Sequence, residues 1–407
     1  MLIESLQQFY SLMLATQVVR KKITELYLDA GKTAISSESQ LIDPLIEAFQ
    51  SLESIPFVDG KYRLNYSEDK SIQLDLTYEI EELKKDIYFL SNSEEEFDEY
   101  LCDLYPGFAE TVKQGEKFLG NRFFNSFITD RDGTVNNYCG RYISSVQSAY
   151  NAVFLSRFAQ NCARNSVILT SAPLDNIGLA DISVSPDNTF IYAGSKGREY
   201  FNKQGERKQL PIKKDKQNKL DELNKKLGEL VKQPDYEIYS LIGSGLQYKF
   251  GQTTIARQDI NNSIPAEDSE SFLTTIKTIV KDTDPQGNYF RIEDTGKDIE
   301  IILTIENSHG SDELKDFDKG NGISYLDKEL GLELEKGPNL ICGDTGSDIP
   351  MAAVSMEKTD NTYAVFVTDD DNLKQKVKEI CPNAFFVPNP DILVTILNNL
   401  GKQQIGR

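Results

Sequence analysis

The stretch that most constrains this chain is Phe123 to Thr134, FFNSFITDRDGT. Its first half is an apolar, aromatic run of strand length, and it predicts a buried strand. The run leads directly into Asp130, Arg131, Asp132, Gly133 and Thr134. Side chains two apart on an extended chain point the same way, so Asp130 and Asp132 are expected to converge at the strand's carboxyl end. Open α/β sheets hold their ligands at that end. Gly133 allows the chain to turn sharply away. Two convergent carboxylates suit a hard cation such as Mg²⁺, and a carboxylate can also attack phosphorus. Taken alone, the four positions DxDG fit equally well a strand that ends in an acidic turn. An EF-hand loop is not expected, because Thr134 and Val135 stand where it needs an acid or Asn and a Gly.

A second stretch changes the balance. Asn339 to Met351 reads NLICGDTGSDIPM, again a short apolar strand that runs into acids, Asp344 and Asp348. Lys319 lies just upstream, in FDKGNGISYL. This order resembles the haloacid dehalogenase superfamily of phosphatases, whose four motifs are DxD, a strand-end Ser or Thr, a Lys and GDxxxD. They match Asp130 and Asp132, Thr170 in SVILTSAP, Lys319, and Gly343, Asp344 and Asp348. The resemblance implies an α/β fold with a Rossmann-like parallel sheet core. It covers residues 121 to 407, and none is seen for residues 1 to 120.

The balance of 44 basic and 64 acidic side chains gives a net charge of −20, which argues against nucleic acid or an anionic membrane as partner. Any phosphate site must then be made positive locally, by a cation, a Lys and backbone N–H groups. The five cysteines have no paired spacing, as expected of free thiols in the cytosol. The lone histidine, His309, stands in a polar Asn-Ser-His-Gly-Ser stretch that reads as a loop, and a single histidine rules out a multi-histidine metal site. No apolar run is long enough to cross a membrane, and Arg20, Lys21 and Lys22 follow rather than precede the moderately apolar Tyr10–Val19, unlike a secretory signal.

Periodicity predicts helices over residues 1–30, Ser37–Leu52, Thr77–Phe89 and Glu94–Leu104, with Pro56 and Gly60 in a loop. Residues 1–120 thus read as a mostly helical N-terminal domain with no catalytic constellation. Self-association, docking, shielding of the site and simple packing all remain open for it. The core is expected over 121–204 and 312–407, with a helix near Ser144–Arg164, strands at Ser166–Thr170, Thr362–Thr368 and Phe385–Val387, and a closing helix, Pro388–Leu400. Thr170 and Ser171 both offer a hydroxyl for phosphate; Pro173 favours Thr170 by the strand-Ser-x-x-Pro layout. Gly194, Ser195, Gly197 and Glu199 resemble the AGSxGxE stretch of sugar phosphatases in the superfamily.

Residues 205–311 read as an inserted cap. The expected order is a helix (Asp215–Lys232), strands Tyr236–Ile242 and Leu246–Asp259, a helix (Ala266–Lys281), and strands Asn288–Glu293 and Asp298–Glu306, with hairpin turns at Gly243–Gly245 and Thr295–Gly296. This αββαββ order resembles the cap of the trehalose-6-phosphate phosphatase group. The resemblance implies substrate contacts from Gln247, Lys249, Arg257 and Glu300, beside Ser171 and Gly133 in the core. Gln247 stands where that group has Glu, and the His of its HYR-like segment is missing before Arg257.

By this resemblance Asp130 is the nucleophile, Asp132 the general acid and base, and Thr170 and Lys319 the ligands of the phosphoryl oxygens. Mg²⁺ would be held by Asp130, Asp132 through its carbonyl, Asp344 and Asp348. The expected substrate is a small sugar phosphate, trehalose 6-phosphate first, with sucrose 6-phosphate and a glucosylglycerol-type phosphate next. Two other classes are weighed. A phospho-accepting receiver domain is compact and places its acid pair before the phosphoacceptor, unlike this chain. An inactive scaffold would not need all four motifs.

Overall fold

The structure is a computed structural model that describes residues 2–31, 39–67, 70–304 and 317–405. His309, the expected strand end at Glu306 and the boundary at 311/312 lie outside the described residues, as does Ser37.

The first helix, Leu6–Ala30, opens with a reciprocal cap between Ser5 and Gln8 and stops at Gly31. Its apolar stripe, Leu6, Phe9, Met13, Ile23 and Tyr27, is buried. A helix follows at Asp43–Glu53, preceded by a short 3₁₀ turn at Ser39–Leu41. A small antiparallel sheet comes next, with strands β1 (Phe57–Val58), β2 (Lys61–Ser67) and β3 (Lys70–Leu74). The expectation was of a loop at Pro56 and Gly60 and no strand; the alternation of Tyr62, Leu64 and Tyr66 is too short to stand out. Helices Thr77–Ser91 and Glu94–Leu104 agree with expectation, the second capped by Ser93 and Glu96. A further helix, Phe108–Leu119, was not expected; its polar residues mask an apolar face of Phe108, Val112 and Leu119.

The core strands are β4 (Phe124–Thr129), β5 (Ala163–Leu169), β6 (Ile191–Gly194), β7 (Glu199–Phe201) and β8 (Arg207–Gln209). The cap contributes β9 (Leu246–Lys249), β10 (Gln252–Ala256), β11 (Phe290–Asp294) and β12 (Asp298–Leu303). The chain then returns to the core with β13 (Asn339–Gly343), β14 (Thr362–Val367) and β15 (Ala384–Val387).

The central sheet runs β15-β14-β13-β4-β5-β6-β7-β8. It is parallel from β15 to β6, and β7 and β8 extend it antiparallel. β4 is buried along its whole length between β13 and β5, with Thr129 opposite both Cys342 and Ile168. Its side chains have no solvent-facing side, which is why the sequence there is a continuous apolar run rather than an alternation. Helices Ala149–Cys162 and Pro390–Ile405 cover one face, and the N-terminal helices join the same apolar cluster. Helices Lys319–Leu330, Ile349–Lys358 and Asp371–Ile380 cover the other.

The cap sheet runs β11-β12-β10-β9, all antiparallel, and is backed by helices Lys214–Leu230 and Ala266–Thr283. The αββαββ order therefore holds, but its first hairpin is shifted. The segment expected as strand Tyr236–Ile242 carries a 3₁₀ helix, Glu237–Ser240. There Tyr239 stacks on Phe272, ring centroids 3.6 Å apart. Leu246–Asp259, expected as one strand, is two, joined by a turn at Phe250 and Gly251. Gly243–Gly245 is thus the approach to β9 and not a hairpin turn.

Candidate active site

Three parallel strands end side by side, and each delivers its motif at its carboxyl end. β4 ends before Asp130, β13 before Asp344, and β5 before Thr170. Lys319 begins the helix Lys319–Leu330, behind an Asp318 cap that accepts from the N–H of Asn321. Lys319 Nζ donates to Asp130 Oδ1 at 2.6 Å and to Asp348 Oδ1 at 2.5 Å. The other oxygen of Asp348 accepts from the backbone N–H of Asp344 (3.1 Å) and of Thr345 (2.9 Å). Thr134 Oγ1 donates to Asp344 Oδ1 at 3.0 Å.

Carboxylate oxygens of Asp130, Asp344 and Asp348 lie within 4.8 Å of one another. Burial pushes Asp130 up to about 7, against the pull of Lys319 and with the repulsion of Asp348. Burial, with Asp130 and Asp348, pushes Asp344 up to about 8. Asp348 goes the other way: burial opposes its charge, but Lys319 and the two amides hold its carboxyl below the ordinary range. Lys319 itself is raised, since its two carboxylates outweigh the burial.

This donor set fits a hard divalent cation: all oxygen, anionic and convergent. Gly133 makes it possible. It has φ +84°, and a Cβ at that position would stand 2.2 Å from Asp344 Oδ2. Gly133 therefore gives Asp344 its space and is not on the pocket wall. Among the three clustered acids, Asp348 is the most engaged, with both oxygens already bonded to neighbours.

Above the cluster lies a pocket of about 270 Å³ between core and cap. Asp130, Asp132, Thr170, Ser171, Lys319 and Asp344 line it from the core. Gln247, Lys249 and Glu300 line it from the cap. Lys249 is buried, which lowers its affinity for a proton, and Glu300 opposes that at 4.0 Å. Glu300 also faces Lys196 of the core at 3.6 Å. The stretch Gly194–Glu199 is where cap and core meet: Ser195 Oγ accepts from the N–H of Phe250 at 2.9 Å, and Arg198 donates to the carbonyl of Gly251.

Arg257 is not brought to this pocket. Its guanidinium is held inside the cap by Glu270 (2.7 Å) and Asp294 (2.9 Å). The resemblance implied a substrate contact for Arg257, but the turn at Gly251 and the end of β10 at Ala256 send it elsewhere. Sequence reading also missed Tyr138, Tyr142, Asp259 and Asp298, which line the pocket. None of them belongs to a motif; the only signal was their place just after DRDGT or at a cap strand end.

Comparison with known proteins bears on this arrangement. Residues 127–393 match the family described as "Trehalose-6-phosphate phosphatase, C-terminal". The chain belongs to the trehalose-6-phosphate phosphatase family. Residues 5–107 match that family's "N-terminal helical bundle domain". This corrects the expectation that residues 1 to 120 carry no family resemblance; helical bundles lack motif residues, so that kinship has no short signature to read. A "Trehalose-phosphatase" of Caenorhabditis briggsae is 28% identical over 96% of this chain and 95% of its own length. An "Alpha,alpha-trehalose-phosphate synthase [UDP-forming] 2" of Caenorhabditis elegans is 31% identical over 96% of this chain and 33% of its own length. The chain thus spans about a third of the synthase relatives it matches. Among solved structures, a "trehalose-6-phosphate phosphatase related protein" aligns at TM-score 0.47 and 14% identity, over 69% of this chain and 99% of that one. Among the described residues no helix is long and apolar enough to cross a membrane.

Proposed function

We propose that this chain is a Mg²⁺-dependent phosphomonoesterase that releases phosphate from a small sugar phosphate, trehalose 6-phosphate foremost. The observation that carries the reading is Lys319 bridging Asp130 and Asp348 beside Asp344, at the floor of a pocket roofed by the cap. The family's name and its trehalose-phosphatase members, matched nearly end to end, support trehalose 6-phosphate over other sugar phosphates. The synthase names describe proteins about three times longer than the matched stretch.

In this reading Asp130 attacks phosphorus in line with the ester bond, giving an aspartyl-phosphate. Asp132 gives a proton to the leaving alkoxide and later takes one from the water that cleaves the intermediate. Thr170 and Lys319 bind the equatorial oxygens, where charge is spread in the transition state. Asp130, Asp344 and the carbonyl of Asp132 would hold the cation, with Asp348 bracing Lys319 and the Asp344 loop. The bound cation would supply the positive charge that lets a carboxylate approach an anionic phosphate. Gln247, Lys249, Glu300 and Ser171 face the space left for the sugar.

We also divide the chain into an N-terminal domain over 1–120, a catalytic core over 121–204 and 312–407, and a cap over 205–311. Free thiols at all five cysteines are in keeping with a reducing, cytoplasmic setting.

The test is a panel of sugar phosphates assayed for phosphate release with Mg²⁺. A preference for trehalose 6-phosphate over glucose 6-phosphate of at least about tenfold in kcat/KM, roughly 1.4 kcal/mol, is expected. Equal rates would show that the second sugar is not read. Release from none of them would overturn the phosphatase reading.

A further inference from the structure

Glu79 lies in the first turn of the helix Thr77–Ser91, outside the catalytic sheet, and it is 2% exposed. Its Oε1 accepts from Arg141 Nη2 at 2.9 Å and from Ser144 Oγ at 2.5 Å. Both donors belong to the turn that follows the Asp130–Thr134 loop. The neighbours of Glu79 on the same helix hold the rest of that segment. Tyr78 Oη donates to the carbonyl of Val146 at 2.9 Å. Glu82 accepts from Asn137 Nδ2 at 3.0 Å and from Ser148 Oγ at 2.6 Å.

The held turn reaches the site through Ser145. Ser145 Oγ donates to Asp132 Oδ1 at 3.1 Å and accepts from Arg131 Nη1 at 2.9 Å. The same guanidinium also bonds the carbonyl of Ser145 and the carboxylate of Asp132. Arg131 and Ser145 are both buried, so this frame has little room to relax. The orientation of Asp132 is therefore set by Ser145, whose chain neighbour Ser144 is bonded to Glu79.

We propose that Glu79 is a positioning residue of the active site: it fixes the 141–145 turn, and that turn, through Ser145 and Arg131, sets the carboxylate of Asp132. This rests on the phosphatase reading, in which Asp132 moves the proton. A proton donor must sit within hydrogen-bond reach of the oxygen it serves. A misplacement of about 1 Å, from a change far from the chemistry, costs on the order of a hundredfold in rate. The N-terminal helices thus complete the site, which is a more specific role than docking or shielding.

The experiment compares full-length wild type with Glu79→Gln, Ser145→Ala and Glu94→Gln. Glu94 makes an equally firm set of bonds, to Arg157 (2.9 Å) and Lys402 (2.6 Å), but touches nothing in the pocket. kcat/KM is measured on an alkyl phosphate (trehalose 6-phosphate) and on p-nitrophenyl phosphate, with Tm recorded for each protein. kcat/KM reports the step that expels the leaving group, and a nitrophenolate needs no proton to leave. Glu79→Gln and Ser145→Ala are expected to lose about ten- to a hundredfold on the alkyl phosphate and several-fold less on the aryl one. Glu94→Gln is expected to lower Tm with the alkyl-to-aryl ratio unchanged. A wild-type ratio in either Glu79→Gln or Ser145→Ala overturns the proposal. If Glu79→Gln does not fold, Ser145→Ala decides by itself. A wild type inactive on both substrates overturns the phosphatase reading, and this proposal with it.

Discussion

Lys319 Nζ stands 2.6 Å from Asp130 Oδ1, and this pair joins two stretches 189 residues apart at the floor of one pocket. The ammonium does two things there. It opposes, without cancelling, the burial that raises the proton affinity of Asp130, and it is presented to whatever oxygens approach that carboxylate. Its second bond, to Asp348, fixes it between the two acids.

Asp130→Asn keeps the shape of the side chain and removes its capacity to attack. Turnover is expected to fall by at least about a thousandfold, given what a covalent nucleophile supplies. The fold should be retained, because one of three crowded acids becomes neutral; equal or higher Tm in the metal-free protein is expected. Circular dichroism and phosphate release on the same sample check both halves.

Lys319→Met removes the ammonium bonded to this cluster and leaves Asp130, Asp344 and Asp348 facing one another. Breaking a buried pair this way typically costs about 3–5 kcal/mol. The metal-free variant should therefore melt well below wild type, and Mg²⁺ should recover part of the difference. A variant with wild-type Tm in chelator would show that the ammonium does not hold the acids together.

The acid cluster also gives a pH dependence. Asp130 and Asp344 take up protons in the folded, metal-free protein at about 7 and about 8, well above the unfolded value near 4. Between those limits the folded state holds more protons than the unfolded one, so stability falls as pH rises. The contribution is fully present below about pH 4 and is lost by about pH 8. A cation displaces those protons, so Mg²⁺ affinity should rise over the same upper range. Thermal melts with chelator and with Mg²⁺, at pH 6 and pH 8, test this. The stabilisation by Mg²⁺ should be larger at pH 8, and equal stabilisation at both would rule out protonated Asp130 and Asp344.

The parts of this site legible in the sequence share one physical signature. Asp130 and Asp344 each follow a strand buried on both faces, so an apolar run announces each acid. Thr170 and Lys319 were expected from the motif order of the superfamily resemblance, and both line the pocket. Arg257 was expected in the pocket by the cap resemblance alone, and a motif match cannot reveal the turn at Gly251 or the partners Glu270 and Asp294 that hold it. The strand expected at Tyr236–Ile242 failed for a related reason: Tyr239 packs on a helix through its stacked ring, and tertiary packing overrode local preference. The link from Glu79 to Arg141 spans 62 residues between two segments that carry no motif, and only the folded chain displays it.

Gly133→Ala tests the floor from another side. The residue holds φ +84°, and an added Cβ would stand 2.2 Å from Asp344 Oδ2. The methyl group and the carboxylate cannot both keep their places. Activity at saturating Mg²⁺ should fall, and the Mg²⁺ needed for half activity should rise by about tenfold or more, the scale seen when a ligand's support is lost. Unchanged Mg²⁺ dependence would mean that Asp344 is not a ligand.

The final prediction concerns how the cap reads the sugar. Lys249 is 7% exposed and lines the pocket opposite the acids, with Glu300 at 4.0 Å as its nearest opposite charge. At that distance the pair is not closed into a tight hydrogen bond, so the donors of Lys249 remain available to hydroxyls, while Glu300 is shared with Lys196. A pocket built to bond hydroxyls loses heavily when one partner goes, because the other polar groups are left unpaired. Lys249→Ala should therefore lower kcat/KM on trehalose 6-phosphate by about ten- to a hundredfold. On p-nitrophenyl phosphate, which has no hydroxyls for the cap to bond, the change should stay within about threefold. Glu300→Gln should follow the same pattern, since it weakens the acceptor half of the same pair. If both substrates fall together, Lys249 supports the cap's structure and the sugar is recognised elsewhere.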